Sequence, residues 1–333
     1  MRRARKPIGL QSRLTRRAWL ALLAAAAAGC ARSEAGTRAE VPFDPAALTL
    51  AYPAGEMLVD PGWLRDRLDD PNLRLYDLSD LPGYRDGHIP GAAHFWWQDL
   101  IEIHNPVYGM LLGPDGRARV MRAAGIEPGS TLVCYDRSGG RYASRLLWVL
   151  RYMGFPRERA HLLVGGLQGW VEAGGELSRE AHAYAPSAST LDDARDETVN
   201  ANSADILARL GEPGLAILDT RSAADQRETW RGQLREGRIP GSVHLPREDF
   251  LLDGPVPALV RPEVLSARLA AVGLDLAATT EIIVYDLHAT LAALPWLALT
   301  ALGGPHVRLY DGSWADWGSN RELPLEPLPG DGE

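Results

Sequence analysis

Gly87-His88-Ile89-Pro90-Gly91-Ala92-Ala93-His94 returns 150 residues later as Gly237-Arg238-Ile239-Pro240-Gly241-Ser242-Val243-His244. Two more segments return with it. Leu132-Val133-Cys134-Tyr135-Asp136 reappears as Ile282-Ile283-Val284-Tyr285-Asp286 at the same offset, and Val164-Gly165-Gly166-Leu167-Gln168-Gly169-Trp170 as Asp311-Gly312-Ser313-Trp314-Ala315-Asp316-Trp317 at 147. Three matches in one order at nearly one offset mark an internal duplication.

Both copies follow one plan. An amphipathic helix (Pro61–Leu68; Ser203–Leu210) precedes a short apolar strand ending in aspartate (Leu73–Asp77; Leu215–Asp219). The Gly-x-Ile-Pro-Gly turn, another helix and a strand ending in Tyr-Asp come next. A long helix (Arg141–Met153; Thr290–Leu302) and a last strand (His161–Val164; His306–Tyr310) complete the copy. Continuous apolar strands alternating with helices indicate a parallel sheet covered on both faces. The expected fold class is α/β, with two tandem domains at 56–178 and 201–328. Residues 179–200 lack apolar periodicity and read as the linker.

Composition narrows the chemistry. The chain has 333 residues, 46% hydrophobic and 23% charged, which is ordinary for a folded protein of two domains. Two cysteines, Cys30 and Cys134, make neither a disulfide framework nor a zinc site, and the eight histidines show no metal-ligand spacing. No metal or cofactor is expected. Residues 1–29 hold seven basic residues and no acid, which leaves −15 on the rest of a chain whose total is −8. An acidic body argues against nucleic acid as a partner. Lys6 is the only lysine, so the body has no Schiff-base or phosphate-binding lysine.

Residues 1–30 read as an export signal. Thr15-Arg16-Arg17-Ala18-Trp19-Leu20 resembles a twin-arginine motif, and the apolar run Ala18–Ala28 is too short for a permanent span. Ala27-Ala28-Gly29-Cys30 resembles a lipobox, with Cys30 as the acylated residue and 31–55 as a tether. The expectation is a lipoprotein on the periplasmic side of a membrane, the outer membrane included, anchored through Cys30.

The Gly-[His/Arg]-Ile-Pro-Gly turns, the Asp311–Trp317 segment and the two-copy layout closely resemble the tandem-domain rhodanese family of sulfurtransferases. The resemblance covers roughly 56–325. It implies thiosulfate or 3-mercaptopyruvate sulfurtransferase chemistry. In that chemistry, a cysteine opening the loop after the fourth strand of the second domain carries sulfur as a persulfide. Converging N–H groups at a helix start favour such an anion and lower a thiol pKa. Here the second loop reads Asp286-Leu287-His288-Ala289-Thr290-Leu291, with aspartate in place of the cysteine and Ala289 in place of a glycine. The first reads Asp136-Arg137-Ser138-Gly139-Gly140-Arg141, and aspartate there is usual in the family's noncatalytic domain.

Asp286 admits several readings. As a helix cap it would accept backbone N–H bonds, a contribution of about 0.5–2 kcal/mol. As a nucleophile it resembles the opening of aspartyl phosphotransferases, but His288 replaces their second aspartate and no lysine is at hand. Repeat register favours the cap. Cys134 is the alternative thiol, two residues before Asp136 in an apolar strand where cysteines are usually inert. Arg137 and Arg141 beside Gly139-Gly140 could hold a small anion. Arg221 and Arg231 could line the second cleft. His94 and His244 read as structural, and His288 as exposed. The expected function is a lapsed sulfurtransferase that binds a small anion or a protein partner. The alternative is an active enzyme using Cys134.

Overall fold

The computed structural model describes residues 43–188, 191, 195–230 and 232–328. Ten strands run in chain order: β1 Leu58–Val59, β2 Leu73–Asp77, β3 Ala93–His94, β4 Thr131–Tyr135, β5 Ala160–Leu163, β6 Asn200–Ala201, β7 Leu215–Asp219, β8 Val243–His244, β9 Glu281–Tyr285 and β10 Val307–Tyr310. They make two five-stranded sheets, ordered β1-β5-β4-β2-β3 and β6-β10-β9-β7-β8. Every pairing between these strands is parallel. The apolar strands lie in the core, with β4 and β9 almost wholly buried. The α/β tandem architecture is therefore as the repeat implies.

Local chemistry starts and stops the elements. Proline opens the helices at Pro45, Pro61, Pro114 and Pro262, where its missing N–H costs nothing. Asp60 caps Pro61–Arg65 through the Gly62 and Trp63 N–H groups, and Ser222 with Asp225 forms a capping box on Ala223–Gln226. The repeated motifs meet in space. The Tyr135 hydroxyl accepts the Ile89 N–H at 2.9 Å, and the Tyr285 hydroxyl accepts that of Ile239 at 3.2 Å. In both domains the tyrosine ending the fourth strand thus pins the Gly-x-Ile-Pro-Gly turn.

Gly166 fills a position that a side chain cannot share. It sits at φ +55°, and a Cβ there would lie 2.3 Å from the Asp136 carbonyl oxygen. Gly166→Ala is expected to cost about 1–3 kcal/mol through strain alone, read as a lowered urea midpoint. An unchanged midpoint would mean that this corner relaxes freely.

Two expectations change. Part of the presumed tether is structured: Pro45–Ala51 is helical and buries Leu48. Tyr52 donates to the Val260 carbonyl at 2.6 Å, and the Ala54 N–H donates to that of Ala301 at 2.9 Å. The presumed linker also packs. Arg179 Nε donates to the Asp86 carbonyl at 2.9 Å. Tyr184 accepts the Leu75 N–H and donates to the Gly91 carbonyl. Cys30 and the export signal lie outside the described residues.

From Asp44 onward the two sheets belong to one compact unit. Helix Arg141–Tyr152 packs against helix Ala289–Ala301, which is buried nearly all round. An apolar helix of that kind needs cover on every side, and the first domain supplies one of them.

Candidate functional site

Asp136 and Asp286 end matching strands, yet their carboxylates have different partners. Asp136 accepts four backbone N–H groups, from Ser138, Gly140, Tyr142 and Ala143, at 2.6–3.1 Å. Gly139 and Gly140, at φ +75° and +90°, let the loop wrap round it. Asp286 accepts one backbone N–H, from Leu287 at 2.6 Å. Its other partners are side chains. Arg247 Nη1 lies 3.0 and 3.2 Å from the two oxygens, and Thr220 Oγ1 lies 3.0 Å from Oδ2. Arg247 also holds Asp225 at 2.6 Å.

The capping reading therefore applies to Asp136 and fails for Asp286. Helix Ala289–Ala301 starts at His288 without a side-chain cap. The His288, Ala289 and Thr290 N–H groups meet no acceptor among the described residues. Nor does the buried Thr290 hydroxyl or His288 Nδ1. This helix start therefore keeps N–H groups without acceptors among the described residues, while the Asp286 carboxylate turns to Arg247 and Thr220.

His288 is enclosed rather than exposed. Its ring lies parallel to Trp97 at 6.0 Å and edge-on to Tyr108 at 5.3 Å. Arg145 enters from the first domain fully buried. Its Nη2 pairs with Asp311 at 2.7 Å and donates to the Gly109 carbonyl at 3.2 Å, while Nε and Nη1 have no hydrogen-bond partner among the described residues.

Other expected residues are structural. Arg221 is buried against Asp219 at 2.7 Å, donates to the Gly237 carbonyl and stacks on Trp314, so it does not line the cleft. Arg137 spends its donors on the Gly83 and Gly87 carbonyls. Asp136 itself takes four N–H groups of the first loop, and the buried Arg141 Nε has no hydrogen-bond partner among the described residues. His94 and His244 each bond a carbonyl, of Ser79 and Arg221 respectively. Arg231 lies outside the described residues. Among the described residues, no cluster of His, Cys, Asp or Glu could hold a metal ion. Sequence reading missed Arg247, whose counterpart at the 150-residue offset is Trp97. A new charge opposite a new carboxylate was the available signal.

A family model described as "Rhodanese-like domain" matches residues 60–173 and 202–320. The chain belongs to the rhodanese-like family. It is 31% identical over 83% of its length to the sulfur carrier protein TtuD of Thermus thermophilus, covering 98% of that protein. It is 32% identical to the thiosulfate sulfurtransferase of Azotobacter vinelandii, over 81% of this chain and 97% of that one. The crystal structure of the 3-mercaptopyruvate sulfotransferase SseA from Escherichia coli superimposes with a TM-score of 0.67. There the identity is 30%, over 78% of this chain and 98% of that one.

Set in this rhodanese-like frame, the thiols stand out. Cys134 is fully buried in the middle of β4, between Tyr76 of β2 and Leu162 of β5. Burial pushes its thiol far up, with Asp136 adding to the effect. No thiol lies in either loop.

Burial raises the Asp286 carboxyl to about 6, against the pull of Arg247. Burial, with Arg145 and Arg247, lowers His288 to about 4. Unfolded values are about 3.9 and 6.5. Between pH 4 and 6 the folded chain keeps the Asp286 proton that the unfolded chain releases, so this group lowers stability as pH rises. His288 acts oppositely: the unfolded chain holds its proton, and stability rises from pH 4 to 6.5. Asp286→Asn removes only the falling contribution. Its melting temperature is expected to climb more steeply with pH than that of the wild type across this window. Parallel profiles would contradict the assignment.

Proposed function

We propose that this rhodanese-like protein is a catalytically lapsed sulfurtransferase that binds a small oxyanion in the Asp286 loop. The carrying observation is the loop itself, which retains a helix start with open N–H groups but places a carboxylate where the family's chemistry needs a thiolate. A carboxylate is a hard, weak nucleophile and forms no stable bond to sulfane sulfur. Cys134 cannot replace it, since a buried, protonated thiol is neither accessible nor nucleophilic. The proposal includes export and anchoring through Cys30, supported by the basic segment, apolar run and lipobox-like Ala27-Ala28-Gly29-Cys30.

The test is sulfur transfer to cyanide by the full-length protein, with thiosulfate and then 3-mercaptopyruvate as donor, followed as thiocyanate. No thiocyanate above the protein-free rate is expected. Turnover that Cys134→Ser abolishes would overturn the reading.

A further inference from the structure

The Asp286 carboxylate sits beside a helix start whose N–H groups lack acceptors among the described residues, while bonded to a cation that an incoming anion would need. Asp286 is wholly buried, and Arg247 Nη1 approaches both of its oxygens. The neighbouring groups offer the neutral acid a partner as well. Thr220 Oγ1 stands 2.9 Å from the Tyr285 carbonyl and 3.0 Å from Asp286 Oδ2. One hydroxyl proton cannot serve both. Given to Tyr285, it leaves a hydroxyl lone pair facing Oδ2, ready to accept from a protonated Asp286.

We infer that Asp286 is a proton-controlled competitor for the anion site. Deprotonated, it engages Arg247 and sets a fixed negative charge beside the cradle. Protonated, it donates to Thr220, frees its share of Arg247 and removes the repulsion, so one proton is taken up with each oxyanion bound. This rests on the oxyanion-binding reading above. The site has support beyond its helix start: Thr290 Oγ1 and Arg145 Nε and Nη1 are buried polar atoms without hydrogen-bond partners among the described residues, and both residues are 0% exposed. The charges facing the pair are known. Asp225 and Glu248 share Arg247, Asp219 bears on Asp286 but is paired with Arg221, and Arg145, Arg141, Arg247 and Asp225 surround His288. Asp286 and His288 are the members of this group displaced toward the pH 4–6 range.

The probe is thiosulfate, a dianion across this range, titrated calorimetrically into the full-length protein at pH 5 and pH 8. If only protonated Asp286 admits the anion, affinity follows the protonated fraction and is expected to fall about 100-fold between these values. Repeating the titration at pH 7 in buffers of different ionisation enthalpy should show uptake of close to one proton, a readout that needs no variant. Asp286→Asn should bind at pH 8 as tightly as the wild type does at pH 5. Equal wild-type affinity at both pH values, matched by the variant, would keep the site and overturn the gate. Dependence that survives Asp286→Asn but disappears in His288→Gln would place the proton on the histidine and also overturn it. Absence of binding by wild type at pH 5 and by the variant at either pH would remove the site itself.

Discussion

Asp286→Cys is expected to produce thiocyanate from thiosulfate and cyanide, where the wild type is expected to produce none. The loop keeps its length, and three N–H groups at its helix start have no acceptor among the described residues. Arg247 lies within 3.0 Å of the present carboxylate and would stand beside the new thiolate, lowering its pKa. The thiolate would attack the outer sulfur of thiosulfate, forming one S–S bond as another breaks and sulfite departs. Cyanide would then remove that sulfur and restore the thiolate. Preorganised N–H donors are worth about 10²–10³ in rate, and a gain of that order over the protein-free rate is expected. A silent variant whose thiol nevertheless alkylates readily would show that the cradle has been lost along with the cysteine. Ala289 would then be the next residue to restore, to glycine.

Asp311→Ala is expected to cost 3–5 kcal/mol in urea unfolding. Arg145 is fully buried, and Asp311 is its carboxylate partner at 2.7 Å. Asp311 Oδ2 also accepts the Leu111 N–H at 3.0 Å, which ties the loop of the first domain to the end of β10. Removing the acid leaves a buried guanidinium whose Nε and Nη1 already lack hydrogen-bond partners among the described residues. Breaking a buried pair from one side costs about 3–5 kcal/mol, whereas replacing both members by apolar residues is often close to neutral. Arg145→Met combined with Asp311→Leu should therefore recover most of the loss. A cost below about 1 kcal/mol for the single change would place this pair with exposed ones.

The duplication was legible because equal spacing reports equal topology. The matched tyrosines do the same work in both domains, and Leu73–Asp77 and Leu215–Asp219 are strands as the pattern predicts. The orientation of Asp286 was not legible from its own position. Asp136 and Asp286 are the same residue in the same register, and what separates them lies elsewhere. One cause is Gly139-Gly140 against Ala289-Thr290, since the glycines adopt positive φ and the other pair does not. The other is Arg247 against Trp97, far along the chain. The presumed tether and linker escaped periodicity for a related reason. Single aromatic side chains, Tyr52 and Tyr184, hold them by hydroxyl bonds rather than by an apolar stripe. Arg221 misled because a basic residue near a cleft and a basic residue inside a core look alike until its partner Asp219 is seen at 2.7 Å.

The contacts of Tyr52 and Ala54 have a mechanical consequence. Tension entering the chain at Asp44 would reach the Val260 and Ala301 carbonyls before it reached β1. The first sheet would thus be shielded from a pull, while the load passed into the far end of helix Ala289–Ala301. That helix begins at the Asp286 loop, so force on the chain would be felt along the same rod whose other tip forms the cradle.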